Sequence, residues 1–195
     1  MKNFAEELTY WYLRFNGFFP LTNFVLHNQG LSSNQSADAD LLAVRPKYVW
    51  EEIGGDHLDS KIFDHFSNNI NIGVICEVKS GQRISLSDIP ITREDRLNYA
   101  LRRLGFFSEG GAEIHMKKLK SNKVIRGKFH EVGKILITEG ACNHPGFICI
   151  TLDQVEVFIT ERIRLYESAK GGAKHFFESD MLQYMIWKRQ RNRRE

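Results

Sequence analysis

The chain has few cysteines, no long apolar run and no histidine cluster, and each shortage excludes a class of protein. Cys76, Cys142 and Cys149 are its only cysteines. Their number is odd and no Cys-x-x-Cys pair occurs, which argues against a disulfide framework and against a thiolate zinc site. The longest apolar stretches, such as Gly73–Cys76 and Gly146–Ile150, fall far below the roughly 20 residues that cross a bilayer, so no membrane partner is expected. The seven histidines show no metal-ligand spacing; only Cys142-Asn143-His144 brings a thiol and an imidazole close in sequence. Met1-Lys2-Asn3-Phe4-Ala5-Glu6-Glu7 turns acidic at once, without the apolar core of a signal peptide, which predicts a cytoplasmic location. There is no internal repeat.

What is present is ordinary globular usage. Hydrophobic residues make up 42% and charged residues 26% of 195 positions, which suits one domain. The net charge of +3 is unevenly placed: five of the 27 basic residues and one of the 24 acidic ones lie in Lys188–Glu195, leaving 22 against 23 elsewhere. The basic character therefore belongs to a tail, residues 188–195, behind a single α/β domain over residues 1–187. Nucleic-acid binding cannot rest on overall charge, so function has to be argued from a site.

Phe4, Leu8, Trp11, Tyr12 and Phe15 recur at helical spacing and Gly17 supplies a stop, predicting a helix over 4–16. A short strand is expected around Phe24–His27, a polar loop over Asn28–Ala37, and a strand over Asp40–Val44 closed by Pro46. A short helix is expected near Lys61–Phe66. Ile72–Lys79 is the clearest strand, ended by Ser80-Gly81. Thr92 predicts the N-cap of a helix over 93–104 that Gly105 closes. The polar, basic stretch 108–130 resists assignment, and Lys117–Lys123 within it reads as a flexible loop. Strands are expected over Lys134–Thr138 and Phe147–Thr151, a helix over Asp153–Glu167, a hinge at Lys170-Gly171-Gly172 and a last helix from about His175. The order implies an α/β fold, a central mixed β-sheet flanked by helices.

Chemistry points to Ile75-Cys76-Glu77-Val78-Lys79. On a strand Glu77 and Lys79 share a face with Ile75, while Val74, Cys76 and Val78 face the other layer. An acid and a lysine closing an apolar strand need an explanation, because burying charge is costly. A solvated strand end is the bland one. Acid-x-Lys also occurs at Asp59-Ser60-Lys61, but there no strand precedes it. Asp40, with Asp38 two residues earlier, opens the preceding strand and comes beside Glu77 if the two strands pair. Converging carboxylates repel unless a cation lies between them, and carboxylate oxygens with open water positions suit Mg²⁺ or Mn²⁺. As turn residues at a strand start, the two aspartates need no such role.

A helix with an early Glu, an Asp opening a strand, Glu-x-Lys on the next strand and then a helix together resemble the PD-(D/E)xK nuclease superfamily, of restriction-endonuclease-like fold. The resemblance spans roughly residues 4–104. Ala5-Glu6-Glu7, Ala39-Asp40-Leu41-Leu42-Ala43 and Glu77-Val78-Lys79-Ser80 are most similar to compact prokaryotic, Holliday-junction resolvase-like members. The chain departs from the pattern in having Ala39 before the Asp, in place of Pro, and a long stretch between Asp40 and Glu77. The resemblance implies a Mg²⁺- or Mn²⁺-dependent hydrolase cutting phosphodiester bonds of nucleic acid, DNA by preference. Asp40 and Glu77 would be the metal-binding acids and Lys79 the lysine at the attacked phosphate. An acid of the first helix would complete the site. Glu6 is favoured because it lies seven residues from Leu13, whereas Glu7 lies seven from Arg14 on a polar face with Asn3. Both acids also suit a helix N-terminus.

Arg96 and Arg103, at i and i+7 on the helix after Glu-x-Lys, are candidate phosphate contacts, with Lys117, Lys118 and Lys120; solvated surface is the plain alternative. Phe176, Phe177, Met181, Leu182, Tyr184, Met185 and Trp187 give the last helix a broad apolar surface, for packing on the core or for a homodimer interface. The competing functional reading is a catalytically inactive nucleic-acid-binding or protein-interaction scaffold on the same fold.

Overall fold

Strands with apolar residues on both faces have to be covered from both sides, and β2, β3 and β5 below are of that kind. The computed structural model describes residues 3–26, 37–49, 57–67, 69–81, 89–166 and 178–192. Its elements run α1 (Phe4–Phe15), β1 (Phe19–Leu26), β2 (Ala37–Arg45), α2 (Ser60–Phe63), β3 (Asn71–Lys79), α3 (Glu94–Arg103), α4 (Glu109–Ser121), β4 (Val124–Arg126), β5 (His130–Thr138), β6 (Ile148–Thr151), α5 (Leu152–Tyr166) and α6 (Asp180–Asn192). They form an α/β structure around one mixed six-stranded sheet in the order β1-β2-β3-β5-β4, with β6 also on β5. β1, β2 and β3 are antiparallel neighbours, β3 and β5 are parallel, and the outer edge of β5 is divided. Its first half pairs antiparallel with β4 and its second half parallel with β6.

Alternation along the strands sorts the core into two layers. Leu41, Ala43, Val74, Cys76, Val78, Ile135 and Ile137 pack with Leu8, Tyr12 and Leu13 of α1, Val155 and Ile159 of α5 and Leu182 of α6. Ala39, Leu42, Ile75, Val132 and Leu136 pack with Leu97 and Leu101 of α3 and Met116 and Leu119 of α4. Rings approach the sheet closely at two glycines. A Cβ on Gly73 would lie 2.9 Å from the Phe106 ring, and one on Gly133 would lie 2.6 Å from the Phe66 ring on the opposite face. Any side chain there would displace the covering layer.

The ends of α1 and the start of α5 are capped by side-chain and backbone bonds. Asn3 Oδ1 accepts from the Ala5 amide at 3.1 Å. At the other end of α1 the Phe18 amide reaches Leu13 O and the Gly17 amide reaches Arg14 O, with Gly17 at φ +79°. That is the Schellman ending which glycine makes accessible. Thr151 and Gln154 exchange amide bonds of 3.2 and 3.0 Å and open α5 as a capping box.

Several expectations need correcting. β1 begins at Phe19, well before Phe24; Pro20 is tolerated inside it because the strand is at an edge. β2 begins at Ala37. The expected polar loop from Asn28 to residue 36 and the hinge at 170–172 lie outside the described residues. Thr92 does not cap α3: it sits in a 3-10 turn, its hydroxyl donating to Ile89 O at 2.7 Å, and Arg93 holds the cap position. Lys117–Lys120 belong to α4, not to a loop, because Ala112, Met116 and Leu119 form a buried stripe beneath them. As expected, the last helix runs into the basic stretch after Trp187, and α6 continues to Asn192. Leu182 and Ile186 of α6 are buried, and Leu182 packs into the core, while Tyr184 and Trp187 stay exposed.

One buried charge is unconnected with the sheet end discussed below. Lys134, 2% exposed on β5, donates to Lys120 O at 3.1 Å and lies 4.8 Å from the centre of the Phe147 ring. Burial lowers its ammonium to about 8. Between that value and 10.5 the unfolded chain binds more protons, so this residue's contribution to stability rises with pH there and is most unfavourable below about 8. Lys134→Met is expected to raise stability at pH 7 by about 1–2 kcal/mol. The gain should shrink towards pH 10.5. Urea unfolding at the two pH values tests this, and a gain independent of pH would contradict the desolvation argument.

Candidate metal and phosphate site

The β2–β3 ladder ends in a side chain. Its last backbone register pair is Leu41 with Cys76. One step further, the Val78 amide donates to Asp40 Oδ2 at 2.7 Å. Glu77, two residues after Ile75, belongs to the sheet face covered by α3 and α4, whereas alternation breaks at the start of β2, where Ala39 and Leu42 both pack on that face. Lys79 is on that face too, and its Nζ lies 3.4 Å from Glu77 Oε2. The Glu77 side chain is fully buried and that of Lys79 is 26% exposed.

The electrostatics follow from this burial. Desolvation, then the charge of Asp40, push the Glu77 carboxyl up to about 8, against a smaller opposing pull from Lys79. Asp40 also favours the protonated form as a hydrogen-bond partner. When Glu77 ionises, its Oε1 is buried with no hydrogen-bond partner, a costly state.

The two acids of α1 differ. Glu6 is half-buried; its carboxyl is raised by desolvation and by the charge of Asp40, and lowered by a hydrogen bond to the Asn3 backbone and by Lys79. It thus completes the cap of α1 while feeling the charges of the β2–β3 end. Asn3 Nδ2 adds a bond of 3.1 Å to Ser80 Oγ, just beyond Lys79. Glu7 is drawn elsewhere, accepting from Ser179 Oγ at 2.6 Å; that hydroxyl in turn receives the Leu182 amide at 3.2 Å and starts α6. Asp59, the other acid-x-Lys, caps α2 and accepts from Tyr12 Oη at 2.7 Å.

The structure therefore brings Asp40, Glu77 and Lys79 together, with Glu6 in electrostatic reach. The expected basic residues lie on α3 and α4, and two of them are paired with acids. Lys117 pairs with Glu113 at 3.5 Å and Lys120 with Glu94 at 2.6 Å. Lys118 is exposed on α4, Arg96 is half-buried and Arg103 exposed on α3. Sequence reasoning missed Asn3, Ser80 and the Val78 amide. Asn3 alone carried a signal, as a good N-cap three residues before a Glu.

The donor set suits a hard divalent cation: two carboxylates, one with an unpaired buried oxygen, beside a half-buried third. Among the described residues no group of three or more His, Cys, Asp or Glu side chains is placed to hold a metal ion. Comparisons with protein-family models, with curated proteins and with solved structures found no match.

The raised Glu77 gives a stability signature. Between pH 4.5 and about 8 the folded chain holds this proton and the unfolded chain does not, so stability falls as pH rises through that window. Glu77→Gln removes the ionisation. In chelator-containing buffer the variant should gain about 2–4 kcal/mol over the wild type on going from pH 4.5 to 8.5. Unfolding curves at both pH values report it, and a constant difference would mean that Glu77 ionises without penalty.

Proposed function

We propose that this protein is a divalent-metal-dependent nuclease that hydrolyses phosphodiester bonds of nucleic acid, DNA by preference. The observation that carries the reading is the convergence of Asp40, Glu77 and Lys79 at one strand end, with a buried, unpartnered Glu77 oxygen. The resemblance of their pattern to the PD-(D/E)xK nucleases supports the reaction class, and its Holliday-junction resolvase-like flavour supports DNA.

In this reading Asp40 and Glu77 hold Mg²⁺ or Mn²⁺, and Glu6 adds negative charge behind them. The cation supplies Lewis acidity toward phosphate oxygens and makes a nearby water more acidic. Lys79, partly exposed beside Glu77, stabilises charge on the phosphate as a bond from water to phosphorus forms and the bond to the leaving oxygen breaks. The departing oxygen leaves with a proton and the attacking water loses one. Asp40 has a second duty, since its bond to the Val78 amide fixes the backbone between Glu77 and Lys79. In this reading Lys118 on α4 and Arg103 on α3 would add non-specific contacts to the nucleic-acid backbone.

Cleavage of labelled single-stranded, duplex and branched DNA and of RNA, with Mg²⁺ or Mn²⁺, tests the activity. Lys79→Ala should reduce single-turnover cleavage about 10²–10³-fold while leaving nucleic-acid affinity nearly intact. Unchanged turnover would remove the proposal in favour of a binding scaffold. Mn²⁺ calorimetry provides an independent arm: Asp40→Asn should weaken the site, and at pH 7 metal uptake by the wild type should release up to about one proton, from Glu77. Equal affinities would remove the metal.

A further inference from the structure

The β5–β6 connection brings together two thiols seven residues apart in sequence. Cys149 stands on β6 opposite Leu136, and Cys142 lies in the connection. Both are free and partly exposed. Their sulfurs are 2.9 Å apart, closer than unbonded sulfurs pack and about 0.9 Å longer than a disulfide bond. The His144 amide donates to Cys149 Sγ at 3.4 Å. Burial and the hydrogen bond to Cys149 push the Cys142 thiol up to about 11, against a smaller opposing pull from the His144 backbone.

A metal ion fits this cluster poorly. His144 Nδ1 accepts from the Gly146 amide at 3.1 Å. The ring proton is therefore on Nε2, and no lone pair is left for a cation. Among the described residues no third His, Cys, Asp or Glu completes a ligand set. Two adjacent thiols need no third group to oxidise.

We propose that Cys142 and Cys149 are a redox modification site, closing reversibly to an intramolecular disulfide that locks the β5–β6 connection. The oxidant is a low-molecular-weight disulfide. The Cys149 thiolate attacks one of its sulfurs, forming a mixed disulfide and releasing one thiolate. Cys142, losing its proton, then attacks Cys149 Sγ and expels the second, so one disulfide is reduced to two thiols as one is made in the protein. The lock sits beside the end of β3: the Glu139 amide donates to Lys79 O at 3.3 Å, and Thr138 Oγ1 donates to Gly140 O at 2.6 Å. The site stands whether or not the nuclease reading holds.

The test treats the full chain with oxidised glutathione, removes the reagent and counts thiols after denaturation. The count should fall from three to one, with a mass loss of about 2 Da and a peptide joining residues 142 and 149. Dithiothreitol should restore all three thiols, and amide exchange over residues 139–147 should be slower in the oxidised form. Cys142→Ser and Cys149→Ser should each stop at a glutathione adduct or remain reduced. Three thiols retained in the wild type, a wild-type glutathione adduct that never resolves, or cross-links between chains would each overturn the proposal. So would stoichiometric Zn²⁺ that protects both thiols from the reagent.

Discussion

Termination of the β2–β3 ladder by the Asp40 carboxylate is the contact on which the arrangement of charges depends. A backbone carbonyl in that position would continue the pairing and hold the strands at ladder spacing. The carboxylate instead takes the Val78 amide. One bond thereby satisfies a strand donor at the end of the pairing, anchors an acid beside Glu77 and sets the backbone that carries Lys79. The acid–acid proximity that adds to the desolvation of Glu77 follows from the same bond, because it holds the Asp40 carboxylate on the amide next to Glu77.

The same face carries both unusual charges of the sheet, and they are accommodated differently. Lys134 is surrounded by a carbonyl and an aromatic face, so its ammonium has an acceptor and a quadrupole. Glu77 has one lysine at 3.4 Å and an oxygen with nothing. A buried cation with partners is a structural solution at a cost. A buried carboxylate with an open oxygen, next to a second acid, is a binding solution whose cost a cation would offset.

Parts of the molecule were legible because local pattern and tertiary demand agreed. α1 shows helical spacing and a glycine stop; β3 shows an unbroken apolar run with charges only at its end. The proximity of Asp40 to Glu77 was legible as soon as the two strands were taken as neighbours. α4 was not, because Gly110-Gly111 and the lysines dilute a stripe of only three buried residues. The role of Thr92 was not, because its hydroxyl is taken by a local carbonyl. Glu6 and Glu7 differ by one position, and only the docking of Ser179 shows which of them is engaged by α6.

The sequence by itself determined the class of the fold, the faces of the central strands and the residue types gathered at the end of β3, since side-chain alternation and helical periodicity are properties of the local backbone. Tertiary structure alone decided how deeply Glu77 is buried, which oxygen goes unpaired, where Lys134 finds its acceptor and that Cys142 meets Cys149. Those are facts about distance between segments remote in the chain or folded back by a turn. They arise from packing two helical layers on one sheet, and no local pattern encodes them.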